Sequence, residues 1–430
     1  MRLLTHRVVR YWLVLSVLSA PLMVHAGIEL SGFGTLGAAL SDQDFIYQRY
    51  LDDGGTLNRD SLVGLQLDAP LTETWGMTLQ AKLAPSTHDD NAWEPTLTWA
   101  FLSWRPSNVL LLRVGKLRIP LLLYSASSDV GTTYDFVRLP TEVYAPLPTT
   151  DINGLALAKT WFAGEREWTL EGYLGQAHAD WRYFMREDIP PDFPAGDLYL
   201  GLDLEMAGLV LSLNDSRNIW RIGLHRAGAE FDQGPVPSDY PFVSIGPGLG
   251  YYQMSNALPG PGVPTIDQVD LSVLTLSAEI ALPRDFRFIG EYARRRILNA
   301  TMGPDTHVGY LALLRDIGRW TPYVLWTGIR SLDARLNFYE RLNDNPLPES
   351  IPGAAALNAI QRLGSDLLSP YDQQSIAVGT SYSLSPGSKI KIGWMHTRIG
   401  RVSSFVDPPV GEESGGRQIN VFSLSYNFTF

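Results

Sequence analysis

The sequence predicts an all-β protein, a transmembrane antiparallel up-and-down β-barrel of about 16 strands. Three observations carry this. Apolar and polar residues alternate with a period of two along most of the chain. The connections between these stretches also alternate, short then long. After residue 26, no apolar run approaches the length a helix needs to cross a bilayer.

The chain opens with a segment of a different kind. Arg2, Arg7 and Arg10 form a basic region, Tyr11 to Val24 is an apolar stretch, and Val24-His25-Ala26 places small residues at −3 and −1. This is the pattern of a secretory signal peptide, with cleavage expected after Ala26. A membrane anchor is the alternative, but Pro21 interrupts the run, which is also short for a spanning helix. The expected organisation is therefore a cleaved signal over 1–26 and one barrel domain over 27–430, with no composition break.

The signal holds three of the 34 Lys+Arg residues and none of the 45 Asp+Glu, so the mature chain carries 31 basic residues against 45 acidic, a net charge of −14. That balance argues against a nucleic-acid partner. The chain has no cysteine. Disulfide scaffolding and thiolate chemistry are excluded, and no cofactor or metal is expected.

The alternation runs through the chain in order. Met77, Leu79, Ala81 and Leu83 oppose Thr78, Gln80 and Lys82. Trp168, Leu170, Gly172 and Leu174 oppose Thr169, Glu171 and Tyr173, and Leu200, Leu202 and Leu204 oppose Tyr199, Gly201, Asp203 and Glu205. Phe286, Phe288 and Tyr292 oppose Arg287, Glu291 and Arg295; Ile390, Ile392 and Trp394 oppose Lys389, Lys391 and Gly393. In the last strand, Phe422, Leu424, Tyr426, Phe428 and Phe430 share one face, and Ser423, Ser425, Asn427 and Thr429 lie on the other. Three stretches look apolar on both faces: Asp151–Phe162, Val308–Asp316 and Thr321–Ser331.

Short turns are expected at 71–73, 106–108, 163–166, 214–218, 283–285, 317–319 and 385–388. Long loops are expected at 41–56, 85–94, 120–150, 177–196, 229–268, 298–306, 332–372 and 401–416. These imply about 16 strands, with both termini on the short-turn side. Trp75, Trp104, Tyr124, Trp161, Trp168, Trp220, Trp320, Trp326 and Tyr382 cluster near strand ends, as interfacial girdles require. A soluble sandwich would also alternate, but its connections need not alternate in length.

Three segments resemble the trimeric porin superfamily of Gram-negative outer membranes. Ser31-Gly32-Phe33-Gly34-Thr35-Leu36-Gly37 is similar to its Gly-alternating first strand. Leu112-Arg113-Val114-Gly115-Lys116-Leu117-Arg118 resembles the strand that leads into the constriction loop. Tyr426, Phe428 and Phe430 resemble the C-terminal signal read by the barrel-assembly machinery. The resemblance implies a 16-stranded barrel in the outer membrane with periplasmic termini, a third loop folded into the lumen and a homotrimer. It further implies passive diffusion of small hydrophilic solutes, with membrane lipid and lipopolysaccharide as surroundings. The third loop departs from the family's usual Pro-Glu-x-Gly-Gly-Asp pattern and reads Ser125 to Tyr144 without it.

A barrel of this size leaves a lumen too wide for side chains to fill, so a loop must set the size limit. The expected constriction loop is 120–150, with Asp129, Asp135, Arg138 and Glu142; an ordinary external loop is the alternative. The facing wall is expected to carry Lys82, Arg113, Arg221, Arg287, Arg295, Lys389 and Lys391, placed inward by the alternation. Asp68, Asp203, Glu171, Glu279 and Glu291 are expected on the same inward face. Opposed charges of this kind filter ions. Arg294-Arg295-Arg296 is a basic run at a strand end, open either to lipopolysaccharide phosphate or to the pore mouth.

The mature histidines His88, His178, His225, His307 and His396 fall in no catalytic spacing, and neither HExxH nor GxSxG occurs. A diffusion channel is the leading reading. A substrate-specific channel for an anion or sugar, kept open by Tyr124, Tyr134, Phe136 and Tyr144, is the second, and a closed structural barrel the third.

Overall fold

The computed structural model describes residues 27–188, 194–409 and 412–430; the expected signal segment lies outside them. Sixteen antiparallel strands close into a barrel. They are β1 (Glu29–Ser41), β2 (Leu62–Pro70), β3 (Trp75–Pro85), β4 (Trp93–Ser107), β5 (Leu110–Arg118), β6 (Asp151–Ala163), β7 (Arg166–Met185) and β8 (Gly196–Asn214). The second half is β9 (Ile219–Phe231), β10 (Val269–Leu282), β11 (Phe286–Ile297), β12 (Thr306–Arg315), β13 (Trp320–Ser331), β14 (Tyr371–Ser385), β15 (Ser388–Ser403) and β16 (Gln418–Thr429). Each strand pairs with its sequence neighbour, and β1 closes on β16. Short and long connections alternate as the sequence indicates.

Closure matters because lipid offers an unpaired backbone group no partner. The last bonds of the seam join Gly32 and Phe430, N to O at 2.9 Å and back at 3.0 Å. The Gly-alternating first strand and the aromatic terminus turn out to be one device. A Cβ on Gly32 would sit 2.2 Å from the Phe430 ring, and one on Gly34 would sit 2.6 Å from Phe428. The glycines leave room for rings to lie across the seam, where Phe428 and Phe430 stack at 6.4 Å.

The outward face is apolar. Leu36, Leu174, Leu209, Ile376, Ile392 and Leu424 are all exposed on it, while Ser381, Thr397 and Ser425, on the opposite parity, are buried. Near the short turns, Trp75 stacks on Trp104, Trp161 on Trp168, and Trp320 packs against Tyr382. This is the girdle the sequence indicates. Tyr124 is the exception: it is buried in the loop after β5, against Tyr134. Arginine on the lipid face of such a barrel costs about 2–4 kcal/mol at mid-bilayer. Leu424→Arg is therefore expected to destabilise by about that amount in denaturant titrations of vesicle-embedded protein.

The long-loop end is built up. β7 runs nine residues into the expected loop, to Met185, while β8 begins at Gly196, where that loop was expected to end; the alternation of both is read against a different environment there. Leu202 and Leu204 turn inward and are buried, whereas Asp203 is exposed outward and hydrogen-bonds His178 at 3.0 Å. The expectation of an inward Asp203 is thus corrected. Above the lipid, water lies outside and packed loops lie inside, so the apolar face points in. Segment 332–370 forms two helices, α2 (Asp333–Asn343) and α3 (Ala354–Asp366). Leu336, Phe338, Tyr339 and Leu342 of α2 pack with Tyr240, Val263 and Met302 from neighbouring loops. Arg182 of β7 ties two connections together by bonding both Asp90 (2.7 Å) and Asp407 (2.6 Å), and Arg186 binds Asp366 at 2.6 Å.

Asp366 makes this cap pH-dependent. Burial raises its pKa, Arg186 offsets only part of the rise, and the carboxyl is pushed up to about 6. With the folded value above the ordinary 3.8, the folded cap binds the proton more tightly than the unfolded chain does. Its stability from this group therefore rises as pH falls through about 6. Protection factors of the α3 amides, each observed rate set against the intrinsic rate at that pH, are expected to rise between about pH 7 and pH 5, and a fall would contradict this.

Candidate functional site

The segment between β5 and β6, residues 119–150, makes its contacts with the inward faces of the strands. It carries one helical turn, α1 (Thr141–Tyr144). Leu122, Phe136, Leu139 and Val143 form an apolar cluster with Ile289, Tyr310, Leu314, Tyr323, Leu325 and Ile329. This accounts for two of the stretches that read as apolar on both faces. β12 presents Leu311 and Leu313 outward and Val308, Tyr310, Ala312 and Leu314 inward, where the loop covers them. The third stretch has the same cause: Ile152 and Ala156 of β6 pack inward with Leu117, Ile119 and Tyr173, against Leu121 at the loop's base. Phe136 stands edge-on to Tyr323 at 5.2 Å and to Tyr310 at 6.1 Å.

Charges fix the loop at both ends. Asp129 takes Lys82 Nζ at 2.8 Å and Arg118 Nη2 at 2.7 Å. Arg118 also binds Asp151 at 2.9 Å. On the far side, Asp135 accepts from Lys389 Nζ and from Ser381 Oγ, each at 2.8 Å, and pairs with Arg287. Arg138 pairs with Asp60 at 2.8 Å. Glu142 is buried and accepts from Gln373 Nε2 at 3.0 Å and Ser375 Oγ at 2.5 Å.

Six of the seven basic wall candidates touch the loop. Lys82, Arg287 and Lys389 do so through its acids. Arg221 donates to the carbonyls of Leu122 (2.9 Å) and Pro120 (3.1 Å), and Arg295 to that of Val143 (3.2 Å). Lys391 is fully buried, with Nζ 3.9 Å from the centre of the Tyr134 ring. Arg113 alone stands off and pairs with Glu171 across the wall.

Glu291 is the residue whose role the sequence reading missed. It is buried on β11 and, among the described residues, pairs with no cation. Instead it accepts from Leu123 N (2.6 Å), Ser277 Oγ (2.9 Å), Tyr310 Oη (2.9 Å) and Tyr144 Oη (2.5 Å). A buried carboxylate is tolerated where several donors satisfy it. An inward Glu on a strand facing an expected lumen loop that carries Tyr144 was the available signal. Arg118 was within view too, as the last residue of the quoted fifth strand.

Burial pushes the Asp135 carboxyl up, but Lys389 and Arg287 outweigh it and hold it at about 2. For Asp129, Lys82 and Arg118 likewise overcome burial and keep it well below the carboxylate range. A depressed folded pKa gives stability that is present above about 4 and lost as pH falls through the folded value. The loop is therefore expected to stay seated at about pH 4 and to loosen only near pH 2. Amide exchange of residues 125–144 against pH checks this; release at about pH 4 would contradict it.

His178, Asp203 and Asp232 bring one ligand atom each within 4.8 Å of one another, all on the exposed outer surface. The His178–Asp203 hydrogen bond accounts for two of them.

No family model matches the chain, and no curated protein sequence matches it. Solved structures do share its fold. OmpT of Vibrio cholerae aligns at 10% identity with a TM-score of 0.50, over 95% of this chain and 99% of that one. OprB of Pseudomonas putida aligns at 9% identity and 0.51, over 94% of each chain. An anion-selective porin from Comamonas acidovorans aligns at 11% identity and 0.51, over 94% of this chain and 99% of that one. The chain has the 16-stranded barrel fold of outer-membrane porins.

Proposed function

We propose that the protein is an outer-membrane porin, a water-filled channel for passive diffusion of small hydrophilic solutes and ions, with no catalytic activity. The observation that carries this reading is the seating of residues 119–150 against the inward faces, with acids anchored on both sides. A closed barrel of 16 strands encloses more space than its own side chains fill. A loop drawn across that space narrows it without closing the barrel.

The charges near the loop divide into two groups. Glu142, Arg295 and Lys391 are buried and serve the loop's attachment. Lys82, Arg113, Arg138 and Arg287 keep roughly a fifth to a quarter of their side-chain surface, and each faces an acid partner. Paired charges make a transverse field with little net sign, so the channel is expected to discriminate weakly between ions. Of the four loop aromatics, Tyr124 and Phe136 are buried in packing and Tyr134 and Tyr144 are half-buried, so none is freely exposed to a passing solute. That favours general diffusion over a sugar-specific channel.

In this reading the short turns and both termini are periplasmic, and Tyr426, Phe428 and Phe430 serve recognition by the barrel-assembly machinery. The working unit is a homotrimer. Proteoliposome swelling in sugars of increasing size tests the function. Swelling should fall steadily with solute size, and its absence with correctly folded protein would reject the channel.

A further inference from the structure

The run Arg294-Arg295-Arg296 lies on β11, where alternation separates its members. Arg295 points inward and is buried. Arg294 points outward and already holds Asp305 at 2.6 Å. Arg296 points outward, is exposed, and has no acid or hydrogen-bond partner among the described residues. Its cross-strand neighbour is Ser272 of β10, whose other neighbour is Arg226 of β9. Arg226 is likewise exposed and unpartnered among the described residues. Three adjacent strands thus present Arg226, Ser272 and Arg296 in one outward row. Strand spacing places the two arginine backbones about 10 Å apart.

This row marks the upper limit of the apolar wall. One row toward the short turns, β9 and β10 pair Leu224 with Leu274, and the next pairs Ile222 with Leu276. One row toward the long loops, the pair is Gly228 and Asp270. The arginines therefore stand where lipid chains end and headgroups begin. Below Arg226 the outer wall is hollowed. Gly172 and Ala207 leave a groove of about 780 Å³ among Leu155, Leu174, Leu224 and Leu274, and Arg226 sits at its rim.

We propose that this surface binds a phosphorylated glycolipid of the outer leaflet, with its phosphates on Arg226 and Arg296 and an acyl chain in the groove. The inference rests on the outer-membrane placement proposed above and not on conduction. Guanidinium forks match phosphate oxygens in charge and geometry. A headgroup bearing two phosphates spans a pair of arginines that a single phosphate does not. A second protein copy docking here would bury two unpaired guanidiniums at a large desolvation cost, which disfavours that occupant.

The test uses the full barrel purified in detergent, the double variant Arg226→Gln/Arg296→Gln, and Arg294→Gln as control. Each is incubated with bisphosphorylated lipid A, dephosphorylated lipid A or phosphatidylglycerol, and retained lipid is read by native mass spectrometry. Heat-dependent gel mobility reports that the barrel is folded. The wild type and the control should retain bisphosphorylated lipid A, the double variant should bind it at least about tenfold more weakly, and the other two lipids should be held weakly by all. Unchanged retention in the double variant overturns the proposal. So does equal retention of dephosphorylated lipid or phosphatidylglycerol by the wild type, or equal loss in Arg294→Gln. Conductance measured on the same preparations separates the two readings: arginine-dependent lipid retention without conductance rejects the channel and keeps this site.

Discussion

Phe136→Ala is expected to free the loop after β5 from its seat while the barrel stays folded. Phe136 is 1% exposed and its ring meets Tyr323 and Tyr310 edge-on. Truncating a buried Phe to Ala costs about 3–5 kcal/mol. Here that cost falls on a loop held by local contacts rather than on a strand in the ladder. A loss of that size raises the unseated population by about 150-fold to about 5,000-fold. Single-channel recordings should show larger and noisier openings, with unchanged heat-dependent gel mobility. Unaltered conductance from a folded variant would mean that the loop does not set the channel's width.

Arg113→Glu is expected to change ion preference without moving the loop. Among the described residues Arg113 pairs only with Glu171, and its side chain retains 28% of its exposure. It touches neither Asp129 nor Asp135, so reversing it adds negative charge to the wall and leaves the anchors intact. At about 5 Å in water-like surroundings, one unit charge is worth about 0.8 kcal/mol to a passing ion. Reversal doubles the change, and salt screens part of it. The cation-to-anion permeability ratio should rise about tenfold at low salt, and the shift should shrink as salt increases. Lys389→Glu makes a contrast, because it strips a partner from Asp135 and should disturb both conductance and selectivity.

The barrel was legible in the sequence because lipid outside and water inside impose one rule on every spanning strand. Fourteen residues of β16 and its flanks suffice to see it, from Gln418 to Phe430 and back across the seam to Gly32. The reading failed where that rule lapses. Leu202, Asp203 and Leu204 lie above the lipid, where the solvent is outside and the apolar loop cap inside, so their faces exchange. Val308–Asp316 and Thr321–Ser331 looked apolar on both faces because a separate segment covers their inner face. Periodicity sees burial but not what does the burying.

The charged residues of the loop were identifiable by type and order, but not their employment. Glu142, Lys391 and Arg295 look like pore charges until the loop's own packing places them under cover. Glu291 reads as one more lumen acid, yet it holds the loop through Leu123 and Tyr144. Such roles depend on which side chains meet across more than a hundred residues of sequence, and no local pattern encodes that.

The most direct test of the account is single-channel conductance of the purified protein in a planar bilayer under a salt gradient. Stepwise openings in groups of three, with a small reversal potential, are the predicted result: a trimer of open, weakly selective pores. Absence of conductance from correctly folded protein would contradict it and leave a closed structural barrel as the better description.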